Sequence, residues 1–424
     1  MTACHVNNGF PNILPLLLPG KSTVPLGHQH AGVMLNLTTM PRLTVGDLKM
    51  RLPIIQGGMG VGVSLSGLAA AVANEGGVGV ISAAIIGKGS TADHEDGLRA
   101  RKLELAEEIR AARRKTKGVI GVNILVALTD YEELLKTCVE EEVDFVFLGA
   151  GLPLKLPDSF FHLSERYRAP KIVPIVSSAR ATKLLFRSWE KRHGRLPDAV
   201  VVEGPMAGGH LGFKPSELDD PENALEKILP QVIKVVRAFE ERLEIKIPII
   251  AAGGIYTGAD IHRILELGAD GVQMATRFVT TFECDASIEF KKTYLNAKKE
   301  DLTIINSPVG LPGRAIKNDF LAAVENGKKI PINCPWQCLV TCDHTVAPYC
   351  IAVALEQARH GRLKHGFAFA GSNAWRADKL VSVKELIHSL IREYELARLG
   401  EKVSNLKGSV NSPLPSLSTN HNRG

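Results

Sequence analysis

Eight short runs of β-branched and apolar residues recur through the middle of the chain, at 53–56, 78–82, 119–125, 145–149, 172–177, 199–203, 248–252 and 271–275. Stretches with apolar residues three and four apart follow them, clearest at 98–115, 131–142, 179–191, 224–244 and 259–267. Short strands alternating with helices are repeated βα units, which build a parallel sheet. Near-continuous apolar strands suit a sheet covered on both faces, and eight such units predict a closed (β/α)8 TIM barrel of the α/β class. An open doubly wound sheet would carry its phosphate fingerprint after the first strand. Here the strongest glycine patterns come late, which favours the barrel.

The chain has 424 residues, enough for one barrel of ~250 residues and an insertion rather than several independent domains. Residues 41–300 hold the barrel. Residues 301–382 fit no further βα unit and read as an insertion or cap, and 383–403 as a C-terminal helix. Residues 1–40 are rich in Pro, Asn, His and Gly without a sustained period; they are expected to be a disordered extension, or translation from a start upstream of the true one. The Ser-, Asn- and Pro-rich residues 404–424 are expected to be a disordered tail. The basic excess, 51 − 45 = +6, is scattered and has no aromatic-interleaved block, which speaks against a nucleic-acid partner. The early apolar run at 13–18 contains Pro15 and is too short to span a membrane. A cytoplasmic enzyme with a small-molecule substrate and no membrane partner is expected.

In barrels the C-terminal strand ends carry the active site, and a phosphate often binds after strands seven and eight. Strand seven ends at Gly253 and Gly254; strand eight runs into Gln273, Met274, Ala275 and Thr276. Paired glycines let backbone N–H groups approach phosphate oxygens, and a following helix N-terminus favours negative charge. The same glycines could serve only tight turns. Strand one ends Gln56-Gly57-Gly58-Met59-Gly60, a floor on which a flat ring could lie, and Asn123 ends strand three with both a donor and an acceptor.

The sharpest group follows strand six, running Glu203-Gly204-Pro205-Met206-Ala207-Gly208-Gly209-His210-Leu211-Gly212. Glycine flanks let an imidazole project over a ligand, where a group titrating near neutrality moves protons. His210 is the catalytic candidate, against the alternative of an ordinary exposed loop histidine. Glu203 points toward the same mouth.

This ordered set, from Pro53-Ile54-Ile55-Gln56-Gly57-Gly58-Met59-Gly60 through Gly121-Val122-Asn123 and Glu203–Gly212 to Gly253-Gly254 and Gln273–Thr276, resembles the FMN motifs of the nitronate monooxygenase family and of the related flavin-dependent enoyl-acyl carrier protein reductases. The resemblance spans residues 50 to about 320. It implies an FMN-dependent oxidoreductase in which Gly58, Met59, Asn123, Glu203, Gly208, Gly209, Gly253, Gly254 and Gln273 through Thr276 hold FMN and His210 faces substrate. Oxidation of alkyl nitronates or nitroalkanes by O2 to a carbonyl compound and nitrite is the leading expectation. An NAD(P)H-dependent enoyl thioester reductase is the alternative, and a non-catalytic flavin-binding partner a third. Many nitronate monooxygenases have Gln where this chain has Glu203, and Leu211-Gly212-Phe213 matches neither subgroup. No G-x-G-x-x-G opens a helix after a strand, so any nicotinamide binds transiently over the flavin.

Cys334, Cys338, Cys342 and Cys350 are spaced C-x3-C-x3-C-x7-C. Crowded thiols in a cytosolic chain are more often metal ligands than disulfides. An iron–sulfur cluster is chemically sensible beside a flavin, zinc usually shows C-x2-C pairs, and the first three could instead share one face of a helix. Gly371-Ser372-Asn373-Ala374 is expected near the mouth.

Overall fold

The computed structural model describes residues 40–86, 94–330, 334 and 337–410. Most of the two stretches expected to be disordered therefore lies outside the described residues.

An antiparallel hairpin of β1 (Leu43–Val45) and β2 (Leu48–Met50) precedes the barrel. The parallel strands β3 (Ile54–Gln56), β4 (Val78–Ser82), β5 (Val119–Leu125), β6 (Phe145–Gly149), β7 (Lys171–Val176), β8 (Val200–Glu203), β10 (Ile249–Ala252) and β11 (Gly271–Met274) then close in chain order, β11 pairing back onto β3. All eight expected strands are present, with ends moved by a residue at most. The out-of-sequence β9 (Gly209–His210) lies beyond the barrel.

Period-two alternation divides the barrel's apolar residues between two layers. Phe145, Phe147, Val78, Val80, Val201 and Ile250 fill the interior, joined by Leu43, Val45 and Met50 of the hairpin. Val146, Leu148, Val200 and Ile249 face outward to the helices. The sequence reading led directly from residue 40 into the first strand and missed this hairpin, whose strands are only three residues each.

The surrounding helices are α1 (Ser66–Asn74), α2 (His94–Lys115), α3 (Tyr131–Glu140), α4 (Asp158–Ser164), α5 (Ala179–His193), α6 (Leu225–Leu243), α7 (Gly258–Glu266) and α8 (Thr276–Val279). Their ends carry recognisable caps. Ser178 accepts from the Ala181 N–H, and Thr257 and Asp260 form a capping box.

After α9 (Ile288–Asn296), β12 (Leu302–Asn306) and β13 (Pro312–Ile316) form a hairpin whose second strand pairs with β9, Gly313 opposite His210. The segment expected as a cap thus supplies a sheet that embraces the catalytic candidate. α10 (Asp319–Glu325) and α11 (Ile351–Arg359) follow, and α12 (Val383–Val410) runs past the expected end at 403. The Glu393 carboxylate of α12 accepts from the Gly258 N–H at 2.8 Å, tying the last helix to the start of α7. Among the described residues no helix is long and apolar enough to cross a membrane.

Candidate active site

The mouth at the C-terminal ends of the strands has a floor of close backbone approaches. A Cβ on Gly58 would lie 2.4 Å from the Asn123 Cβ, and one on Gly57 would sit 3.2 Å from the Ala275 Cβ. Asn123 is buried, its amide donating to the Phe147 carbonyl at 3.3 Å. Ser64 clamps the first loop by accepting from the Met59 N–H at 2.9 Å. That N–H is already satisfied, so Met59 contributes the loop's shape rather than a free donor. Gln56 was missed as a site residue; fully buried, it accepts from the Val80 N–H and donates to the Gly57 carbonyl, fixing where the floor begins.

On the opposite side Gly253 and Gly254 have φ of 92° and 85°, a backbone region that only glycine enters without strain. Thr276 opens α8, and its Oγ1 accepts from the Gly371 N–H at 3.0 Å. Asn373 donates to the Gly254 carbonyl at 2.7 Å, so the segment around 371–374 reaches the mouth as expected. A Cβ on Gly208 would come within 2.5 Å of the Ala370 and Gly371 backbone. Gln273 is partly open to the mouth, whereas the Met274 side chain is buried in the helix layer. Met274 offers the mouth only its backbone, its carbonyl accepting from the Gly57 N–H at 2.8 Å, because strand alternation turns its side chain outward.

These features fit a flavin phosphate. Beside Thr276, the Arg277 guanidinium stands 4.7 Å from the centre of the Tyr256 ring, and Arg376 stands at the same distance. The Arg277 Nε is a buried donor without an acceptor. Two guanidiniums next to turns of positive-φ glycines form an electropositive corner suited to an anion. Neither arginine was singled out in sequence, because only the tertiary fold brings position 376 to strand seven's turn.

His210 sits on a paired strand, not on the open, flexible loop its glycine neighbours suggested. Its Nε2 is 2.8 Å from the Ser307 hydroxyl, and its ring meets Phe369 edge-on at 5.1 Å. The Phe369 carbonyl in turn accepts from the buried Tyr294 hydroxyl. Arg314 donates to the Pro205 and Ala207 carbonyls at 2.8 and 3.3 Å, bracing the loop that leads to the histidine. Burial pushes the His210 pKa down to about 4 and the Glu203 carboxyl up to about 7. The expectation of a histidine titrating near neutrality is therefore corrected, since the desolvated imidazole is neutral there. Ser307 and Arg314 lie about a hundred residues downstream and Phe369 further still, where no sequence pattern linked them to His210.

The cysteine segment is irregular, which removes the shared helix face. Cys338 and Val340 pair with the loop after β5, Thr129 N–H to the Cys338 carbonyl at 3.2 Å and Val340 N–H to the Ala127 carbonyl at 2.9 Å. Cys350 caps α11. Cys334, Cys338, Cys342 and Cys350 all line one cavity. Among the described residues, however, no three His, Cys, Asp or Glu side chains are grouped to hold a metal ion, so the four thiols do not form the compact single-ion site that zinc requires.

A glycine-floored mouth beside an electropositive corner, at the strand ends of a closed barrel, defines a barrel of the class that holds a phosphate-bearing cofactor there. The sequence model of the nitronate monooxygenase family matches residues 43–144 and 131–393, and the chain belongs to that family. Similar relatives include a Rhodococcus jostii (strain RHA1) protein named (3aS,4S,5R,7aS)-5-hydroxy-7a-methyl-1-oxo-octahydro-1H-indene-4-carboxyl-CoA dehydrogenase, 27% identical over 274 residues, which are 65% of each protein. A probable nitronate monooxygenase of Staphylococcus aureus (strain JH9) is 28% identical over 304 residues, covering 65% of this chain and 78% of the relative. Among solved structures, FabK from Thermotoga maritima is similar with a TM-score of 0.63 and 27% identity, over 85% of this chain and 96% of that one. Nitroalkane oxidase from Streptomyces ansochromogenes, 23% identical with a TM-score of 0.61 over 83% and 98% of the two chains, shares the fold.

Proposed function

We propose that the protein oxidises alkyl nitronates with FMN and O2, yielding a carbonyl compound and nitrite. The observation that carries this reading is the neutral His210 imidazole, fixed through Nε2 by Ser307 at the mouth of a family barrel. Bound FMN would supply the redox chemistry, taking electrons from the nitronate and passing them to O2.

The chain's own residues do the rest. Gly253, Gly254, Ala275 and Thr276, with Gly208 and Gly209 alongside, would hold the phosphate end; Gly58, Asn123, Glu203 and Gln273 would meet the ring and its side chain. A histidine with a pKa of about 4 is a weak base at neutral pH, which favours a positioning role over proton abstraction from carbon. The Ser307 Oγ already accepts, weakly, from the Val309 N–H at 3.5 Å, so its hydroxyl hydrogen is free for Nε2. Nδ1 then carries the imidazole proton and donates to an anionic nitronate oxygen. An arriving anion also raises the His210 pKa, strengthening that hydrogen bond.

Flavin-loaded protein given an alkyl nitronate in air is expected to release nitrite, and active-site-intact protein releasing none rejects the reading. Glu203, together with the likeness to FabK, favours a second reading, an NAD(P)H-dependent reductase of enoyl thioesters. Anaerobic NAD(P)H separates the two. Rapid flavin bleaching reversed by an enoyl thioester establishes the second; a flavin inert to nicotinamide removes it.

A further inference from the structure

The nitronate reading leaves one conspicuous group of residues without a role. Cys334, Cys338, Cys342 and Cys350 line a single pocket, whose other walls include the apolar Leu339, Tyr349 and Ile351 and the polar Gln337 and His344. All four are free thiols, whereas the remaining described cysteines, Cys138 and Cys284, are buried singly elsewhere. Three come from an irregular loop and the fourth from a helix cap. Neither helical nor strand periodicity gathers them, so their common destination is a property of the folded segment.

We propose that these four cysteines bind a four-iron, four-sulfide cluster, a second prosthetic group at the flavin end of the barrel. A zinc ion needs its thiolates at about 2.3 Å from one point, and no grouping of that kind exists among the described residues. In a cubane cluster each thiolate binds a different iron, so the sulfurs stand apart around a volume. Four thiols around one pocket match that demand. Cys350 is the N-cap residue of the nine-residue α11, which places it at that helix's N-terminus. A helix N-terminus stabilises the negative charge of a thiolate-ligated cluster.

The location gives the cluster a partner. Leu339 pairs in an antiparallel bridge with Leu128, and residues 127–129 belong to the loop that continues β5 beyond Asn123. The cysteine loop is thereby pinned to the same rim that carries the flavin floor. The inference does not depend on which substrate the flavin oxidises.

The test uses the full chain purified without oxygen. Iron, acid-labile sulfide, zinc and FMN are quantified together, followed by electron paramagnetic resonance of dithionite-reduced protein, in which fully reduced flavin is silent. About four irons and four sulfides per chain and a reduced-cluster signal are expected. Cys338→Ala/Cys342→Ala should lose both while retaining FMN, and Cys138→Ala should keep them. If the double variant does not fold, the wild-type stoichiometry still decides. Stoichiometric zinc overturns the proposal, as does protein that stays without iron and sulfide after anaerobic reconstitution with ferrous salt and sulfide. Wild-type iron content in the folded double variant overturns it equally.

Discussion

Apart from the closing pair β11–β3, the barrel strands pair with neighbours one helix away, whereas residues 301–382 make contacts that reach far back along the chain. His210 meets Ser307 across 97 residues, Thr276 meets Gly371 across 95, and Gly254 meets Asn373 across 119. The barrel supplies glycine turns and strand ends, which hold a ligand in place. The later segment supplies the hydrogen-bond partner, the aromatic edge and the burial that set the charge state of His210. A mouth assembled from both regions separates holding from chemistry, and that separation can be tested.

His210→Ala should have the largest effect. Removing a preorganised donor lowers kcat about 10²–10³-fold, measured as nitrite release per bound FMN, with FMN content unchanged. Loss of flavin together with activity would break the separation, showing that the junction also holds the cofactor. Gly208→Ala should do the reverse. Its Cβ would stand 2.5 Å from the backbone of residues 370 and 371, which cannot step aside as a flexible side chain can. Such overpacking costs roughly 1–3 kcal/mol, and it should appear as weaker FMN binding in a fluorescence titration, with turnover per bound flavin largely kept.

The same division explains what could be read in the sequence. Strands such as Val119–Leu125 and Phe145–Gly149 were legible to the residue because apolar runs and the intervening helices are local patterns. The positions of Gly253 and Gly254 at a strand end were legible because paired glycines mark a turn. For Met274 a motif records order and not side-chain direction, and the pleat turns that side chain to the helices. Ser307, Arg314 and Arg376 were invisible, since nothing local in a serine or arginine tells which distant strand it will meet. The cysteines lay between these cases: their spacing marked them as a group, but the irregular backbone that faces them onto one cavity could not be foreseen.

Glu203 sharpens the comparison from the barrel side. Burial raises its folded pKa from 4.5 to about 7, so the folded state holds a proton that the unfolded chain releases between those values. Its contribution to stability is therefore greatest below pH 4.5, falls as pH rises to about 7, and stays low above. Glu203→Gln removes this dependence. The flavin-free variant should match wild type near pH 4.5 and exceed it by on the order of 2 kcal/mol at pH 8, read from denaturant unfolding at the two pH values. Equal curves at pH 8 would mean that the carboxyl ionises freely in the mouth.

Ser307→Ala should have the smallest effect and tests the later segment most directly. Losing one hydrogen bond costs about 0.5–1.5 kcal/mol, roughly three- to tenfold in kcat. A structural loss of that size would look similar, so the titration of His210 is the better readout. If the Ser307 hydroxyl donates to Nε2, it stabilises the neutral imidazole. Removing it then moves the histidine pKa upward from about 4 toward its ordinary value of 6.5. The acid limb of the activity profile, and the imidazole nitrogen resonances, should shift to higher pH together. Ser307→Thr keeps the hydroxyl and should restore both. An unmoved titration in Ser307→Ala would show that burial alone holds His210 neutral, returning the control of its charge to the barrel loop and the Phe369 edge.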